Sequence, residues 1–237
     1  MTRCLIALGG NVGNVRETFA RALDRLDNHL HISVPAASRC FLTEPVGSDS
    51  GDAYLNSAVA LDTSLTPPDL QEATKQVEVD LGRERDHATW APRTVDLDLV
   101  TCGDVVATND RLRIPHPGCW YRRFVLDPVC RIAANTVHPG LGITFAALRQ
   151  RLLPRPLPVF LDVPDRQETI DVLEARFPQV AFVDRAEDVA ESGLHLPGSL
   201  PCPDSLVDIL TAATGGVELA ESIPGWDETP QGSEGAT

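Results

Sequence analysis

Lysine is almost missing from this 237-residue chain, Lys75 being the only one. Thr74 precedes it and no glycine loop leads to it, so there is no Walker A phosphate loop. Gly9-Gly10-Asn11-Val12-Gly13 misses the dinucleotide fingerprint, because Leu8 stands where the first glycine should be. No G-x-S-x-G and no H-E-x-x-H occurs, and the six histidines show no ligand spacing. Most familiar hydrolase and NTPase chemistries are thereby excluded. Cys4, Cys40, Cys102, Cys119, Cys130 and Cys202 contain no C-x-x-C pair. They are expected to be reduced, mostly buried small hydrophobes. No apolar run approaches the ~18–20 residues of a bilayer span, and Cys4–Leu8 is too short for a signal core. A cytoplasmic protein, with no membrane partner and as a monomer, is the expectation.

The formal charge is −14, which argues against a nucleic-acid partner. It is unevenly spread. Residues 1–154 carry 18 acidic and 16 basic side chains, a net of −2, and residues 155–237 carry 16 and 4, a net of −12. The break falls at Pro154-Arg155-Pro156, which reads as a linker. Three parts are expected: 1–154 as the main domain, 155–217 as a small α/β extension, and 218–237 as a disordered acidic tail.

Periodicity places a strand at Cys4–Leu8 and a helix from Val15 to Asn28, with Phe19, Ala22, Leu23 and Leu26 on one face. His31–Cys40 alternates as a strand, with a bulge or edge signalled by Pro35. Tyr54–Leu61 is the next strand, and Pro67 or Pro68 opens a helix that Gly82 stops. Thr94–Val100 is a strand, which Val105–Ala107 is expected to join across the Gly103-Asp104 turn. This β-α-β-β-α-β order predicts an α+β, ferredoxin-like fold with two helices on one face of an antiparallel sheet. A helix at Ala146–Leu153 precedes the linker. Beyond it, Val159–Val163, Glu168–Phe177 and Val180–Val183 read as one small βαβ-type unit.

The informative stretch is Trp90-Ala91-Pro92-Arg93-Thr94-Val95-Asp96-Leu97-Asp98-Leu99. Residues two apart on a strand share a face, so Asp96 and Asp98 project together, about 7 Å apart. Such a pair of hard oxygen donors suits Mg²⁺, completed by substrate phosphates. A bare D-x-D is more often a solvated strand face. The arginines around it change that balance. Arg83, Arg85, Arg93, Arg111, Arg113, Arg122 and Arg123 outnumber the acids between 83 and 123. Guanidinium forks match phosphate oxygens, and a metal–polyphosphate site needs both signs of charge. His116 can add a hydrogen bond, or can be an ordinary loop histidine.

The run Arg93-Thr94-Val95-Asp96-Leu97-Asp98 resembles the signature of the 6-hydroxymethyl-7,8-dihydropterin pyrophosphokinase family. The likeness extends in register over about residues 3–153. It takes in Leu8–Gly13, Thr43–Gly47, Tyr54-Leu55-Asn56, Glu78, Gly82-Arg83-x-Arg85, Ile114-Pro115-His116 and Arg123–Leu126. The resemblance implies an ATP- and Mg²⁺-dependent enzyme of folate biosynthesis, with a ferredoxin-like fold. Its pterin hydroxymethyl oxygen attacks the β-phosphorus of ATP and AMP leaves.

By the same resemblance, Asp96 and Asp98 hold two Mg²⁺ ions, and Arg83, Arg93 and His116 bind phosphates. Arg85 sits in a loop that closes over the site. Leu99, Arg111, Leu112 and Arg122 or Arg123 surround the adenosine. Tyr54 and Phe124 stack on the pterin, with Thr43, Pro45, Asn56 and Trp90 around it. Departures from the family pattern are Thr89 for a basic residue, Ala91 for glycine, Gly10 for serine, and the acidic Glu84 and Asp86. Two other readings compete. One is a non-catalytic pterin- or nucleotide-binding module whose C-terminal part recruits a partner. The other is an Mg²⁺ nucleotidyltransferase for another alcohol. Truncation after Pro154 is expected to leave activity intact.

Overall fold

The structure is a computed structural model that describes residues 1–46, 52–83, 93–109, 111–197, 205–226 and 228. In chain order the first elements are β1 (Thr2–Gly10), α1 (Val15–Asp27), β2 (Ile32–Ala37), β3 (Phe41–Thr43), β4 (Tyr54–Thr63) and α2 (Pro67–Asp80). They are followed by β5 (Asp96–Cys102), β6 (Ala107–Thr108), β7 (Arg113–Ile114), α3 (Arg123–Ala133) and α4 (Phe145–Arg151). The last group is β8 (Leu157–Asp162), α5 (Arg166–Glu174), β9 (Val180–Phe182), β10 (Leu194–Pro197), α6 (Leu206–Thr214) and β11 (Val217–Leu219).

β1 has no polar face. Cys4, Ile6 and Leu8 point one way and Leu5 and Ala7 the other, and all are buried. A strand apolar on both sides must be central and covered twice. It lies between β4 and β5 in the order β11-β3-β4-β1-β5, with antiparallel pairing throughout. β2 and β3 are two segments of one broken strand along the same edge of β4. The register slips between Ser33 and Ala36, around Pro35, where proline cannot donate to the ladder.

Cys4, Ile6 and Leu8 pack against Phe19, Leu23 and Leu26 of α1 and Leu70 and Val77 of α2. Each such side chain contributes about 1.5–3 kcal/mol on burial. Asn14 and Thr66 cap the two helices through their side-chain oxygens, each worth about 1 kcal/mol. The opposite face, for which the sequence reading named no cover, is covered as well. There Leu5, Ala7, Ala58 and Ala60 meet α3 and α4. α3 has no counterpart in the sequence reading, because Pro128 lies inside it and masks its periodicity. The hairpin after β5 also differs from expectation: β6 pairs with β7, and Val105 and Val106 stay outside any strand.

Residues beyond Pro156 build a parallel sheet ordered β10-β8-β9. Leu157, Val159 and Leu161 of β8, with Ile209 and Leu210 of α6, join the core that holds Leu5, Val129 and Leu148. The charge break at 154 is therefore not a break in packing. The disordered tail expected from residue 218 is corrected over its described part. β11 adds to the edge of β3, and Ile223 is buried in the α1/α2 core. The described cysteines are free, and Cys4, Cys40, Cys102 and Cys119 are buried.

Glu228 ends this strap. Its carboxylate accepts two hydrogen bonds from the Arg131 guanidinium, at 3.0 and 2.6 Å, and one from the Arg39 N–H, at 3.0 Å. Burial works to raise its carboxyl, but the Arg131 and Arg39 contacts prevail and hold it below the ordinary 4.5. The ionised clasp thus stabilises the strap at neutral pH. That contribution is lost as pH falls below about 4.5 through the lowered folded value. Amide exchange in 217–226, corrected for its intrinsic pH dependence, should accelerate between about pH 5 and pH 3 more than exchange in β1.

Candidate active site

The site starts from the glycine turn after β1. The N–H groups of Asn11 and Val12 donate to the Arg93 carbonyl at 3.0 and 3.2 Å. The Asn11 side-chain oxygen accepts the Arg93 N–H at 2.9 Å. The turn thus pins the backbone that enters β5. A β-carbon at Gly10 would come within 2.7 Å of the Thr94 carbonyl oxygen, so a serine there would require the backbone to shift. Gly10 suits this close crossing.

Cross-strand partners share a face of the sheet, about 5 Å apart per strand. Asn56 of β4, Gly9 of β1 and Asp96 of β5 form one such row, and Ala58, Ala7 and Asp98 form the next. Ala7 and Ala58 belong to the core under α3, so Asp96, Asp98 and Asn56 lie on the α3 side. With no side chain at Gly9, a floor about 10 Å wide opens between the amide and the carboxylate. This row joins two groups of residues that are 40 positions apart in sequence.

Asp96 is ion-paired through one oxygen with Arg83 and through the other with Arg93. Arg83 also donates to Glu78 at 2.7 Å, and the same Glu78 oxygen accepts the Leu97 N–H at 2.6 Å. Glu78 therefore ties the end of α2 to the edge strand that bears the acids. Its carboxyl is pushed up to about 7, chiefly by burial and further by Asp96 and Asp98, against the pull of Arg83. The sequence offered a signal for it: a carboxylate on the helix face shared by Leu70, Thr74 and Val77 must have a partner.

Asp98 is flanked differently. Burial and the charge of Asp96 raise its carboxyl, while His116, Arg122 and Arg93 work the other way. The Gly118 N–H donates to His116 Nδ1 at 3.1 Å, so the ring proton belongs on Nε2, which faces Asp98 at 4.0 Å. The Arg122 guanidinium lies 5.7 Å from the centre of the Phe124 ring. Arg123 points elsewhere, to Asp127 at 2.9 Å and the Gly215 carbonyl. Of the two arginines considered for the adenosine, Arg122 is the one beside the acids.

Asn56 Nδ2 donates to Thr43 Oγ1 at 2.8 Å, with both residues buried. Thr43 pairs with Tyr54 across the strands. Pro45, Tyr54 and Phe124 are half-buried. Leu99 and Leu112 turn their side chains into the α1/α2 core, leaving only backbone for a ligand, and Arg111 is exposed. Arg85 and Trp90, with Glu84, Asp86, Thr89 and Ala91, lie outside the described residues.

Among the described residues no group of three or more His, Cys, Asp or Glu side chains could hold a metal ion. The donor set is two neighbouring carboxylates. That fits Mg²⁺, which keeps waters and takes further oxygens from phosphate, better than a dedicated protein cage. Cations on one side and an amide with aromatic faces on the other can bind a polyphosphate beside a flat polar ring.

A model of the 7,8-dihydro-6-hydroxymethylpterin-pyrophosphokinase family matches residues 5–134, more than half of the chain. A 2-amino-4-hydroxy-6-hydroxymethyldihydropteridine pyrophosphokinase of Bacillus subtilis is 41% identical over 128 residues, covering 54% of this chain and 75% of the relative. The protein of that name in Methylorubrum extorquens is 38% identical over 140 residues, covering 59% of this chain and 88% of its own. Among solved structures, a triple mutant of Plasmodium falciparum HPPK-DHPS superposes with a TM-score of 0.51 at 10% identity. The match covers 78% of this chain and 56% of that one, and at this identity it speaks to the fold alone.

Proposed function

Since the chain belongs to the 7,8-dihydro-6-hydroxymethylpterin-pyrophosphokinase family, we propose that it transfers pyrophosphate from ATP to the hydroxymethyl group of 6-hydroxymethyl-7,8-dihydropterin. AMP is released, and the product feeds folate synthesis. The observation that carries this reading is the Asn56–Gly9–Asp96 row, in which an amide suited to a polar ring faces, across Gly9, a carboxylate and arginines suited to a metal and phosphates. A non-catalytic binding module has no need for the second half of that row. A nucleotidyltransferase for another alcohol has no need for the first.

Asp96 and Asp98 would hold Mg²⁺, two ions by the family resemblance. Bound there, the metal would offset charge on the phosphate oxygens and orient the chain of phosphates. Arg83, Arg93 and Arg122 supply cationic donors, and His116 offers its Nε2–H. The arginines on Asp96 are held where an incoming polyphosphate can compete for them. Thr43 orients Asn56 for the polar edge of the ring, and Tyr54 and Phe124 are suited to its two faces. Transfer to the β-phosphorus then rests on alignment and charge neutralisation, and no side chain is needed as a strong general base.

The strand order, with β2 and β3 counted as one strand, supports a ferredoxin-like reading of residues 1–102. The protein is read as a cytoplasmic monomer with no nucleic-acid partner, in line with its charge of −14. Among the described residues no helix is long and apolar enough to cross a membrane.

Incubation with ATP, Mg²⁺ and the hydroxymethyl dihydropterin should yield AMP and the pterin diphosphate. Formation of ADP would replace this reading with ordinary phosphoryl transfer. Phe124→Ala should raise the KM for pterin by about tenfold or more, from lost stacking and burial, with a much smaller effect on ATP. Equal changes for both substrates would remove Phe124 from the pterin site.

A further inference from the structure

We propose that the strap formed by residues 217–226 and Glu228, beyond the part of the chain that the family model matches, positions the pterin half of the site and leaves the ATP half untouched. The proposal rests on the assignment of Thr43 and Asn56 to the pterin. β3 is only three residues long and would otherwise be the open edge of the sheet. A strand that short holds its register poorly without a second neighbour. β11 supplies that neighbour, pairing Val217 with Thr43 and Leu219 with Phe41. The pairing continues past the strand: the Ala220 N–H donates to the Cys40 carbonyl at 2.8 Å, and the Cys40 N–H to the Glu221 carbonyl at 3.1 Å.

The strap is anchored on both faces of the sheet. Ile223 sits in the α1/α2 core, and the Arg16 side chain donates to the Ser222 carbonyl at 3.1 Å. Glu228 joins Arg39, just before β3, to Arg131 of α3. A second tie runs from the first turn of α3, where Arg123 contacts both Asp127 and the Gly215 carbonyl that leads into β11. The chain of contacts therefore runs from strap to β3, from Thr43 to Asn56, and from Asn56 to the substrate edge. Asp96, Asp98, Arg83 and Arg93 lie across β4 and β1, at the other edge of the sheet.

The test uses the full-length chain and two substitutions. Ala220→Pro deletes the N–H donor to Cys40, and Glu228→Gln removes the charge from the clasp. In each, the KM for pterin should rise by about three- to tenfold, while the KM for ATP changes by less than about twofold. Amide exchange at 40–43 should accelerate in parallel. Faster exchange with an unchanged pterin KM, or equal rises for both substrates, would overturn the proposal. Should Ala220→Pro fail to fold, the same split in Glu228→Gln decides. Should the parent chain make no AMP, the function proposed above fails, and titration with 6-hydroxymethyl-7,8-dihydropterin alone decides the strap. Weaker binding by the variants supports the proposal, and equal binding overturns it.

Discussion

Asp98→Ala should lower AMP formation by about three orders of magnitude, which corresponds to about 4 kcal/mol of lost transition-state stabilisation. Its melting temperature should stay near that of the parent. The reason lies in how the two acids are held. Asp96 is ion-paired with both Arg83 and Arg93, so its removal would disturb two partly buried cations and confuse stability with catalysis. Asp98 is half-exposed and meets only His116, at 4.0 Å, as a close ionic partner among those described. The charge of neighbouring Asp96 already pushes its carboxyl up. Deleting it relieves like-charge repulsion and subtracts an oxygen donor. Steady-state AMP release with a parallel thermal melt checks both halves, and a variant that keeps full activity would refute the metal assignment.

The second large effect concerns the chain beyond Pro154. Truncation there is expected to give insoluble or loosely packed protein, contrary to what the linker-like Pro-Arg-Pro sequence implied. Leu157, Val159, Leu161, Ile209 and Leu210 share one core with Leu5, Val129 and Leu148. Loss of five such side chains, at about 1.5–3 kcal/mol each, is comparable with the whole stability of a domain, about 5–15 kcal/mol. The cut also strips β11 from β3. Soluble yield and the cooperativity of thermal unfolding measure the outcome. A soluble, fully active fragment of residues 1–154 would restore the view of an independent domain with an appendage.

The paired carboxylates, the arginines around them and the residues proposed for the pterin could be named from sequence because each is carried by local signals: a D-x-D on a strand, clustered guanidinium groups, and short motifs in a fixed order. β1, α1, β4 and α2 were legible because their apolar periods and caps are local too. α3 was not, since Pro128 interrupts the helical signal and only burial on several sides stabilises it. β11 was hidden for a related reason. A three-residue strand in an acidic, proline-containing stretch has little preference of its own, and it forms because β3 offers it an edge.

Sequence alone thus offered Asp96 and Asp98, at i, i+2 spacing among arginines, as candidates for a metal–polyphosphate site, while the residues proposed for a flat polar ring came from the family resemblance and not from spacing. Only the tertiary structure decided how those halves meet. Strand register sets Asn56, Gly9 and Asp96 in one row, while packing commits Arg123 to Asp127, leaves Arg122 as the one whose charge acts on Asp98, and recruits Glu78 to the edge strand. It also made the described part of the acidic C-terminal stretch, expected to be a loose tail, into a strand and clasp. Long-range pairing and ion pairs are properties of residues that are neighbours only after folding.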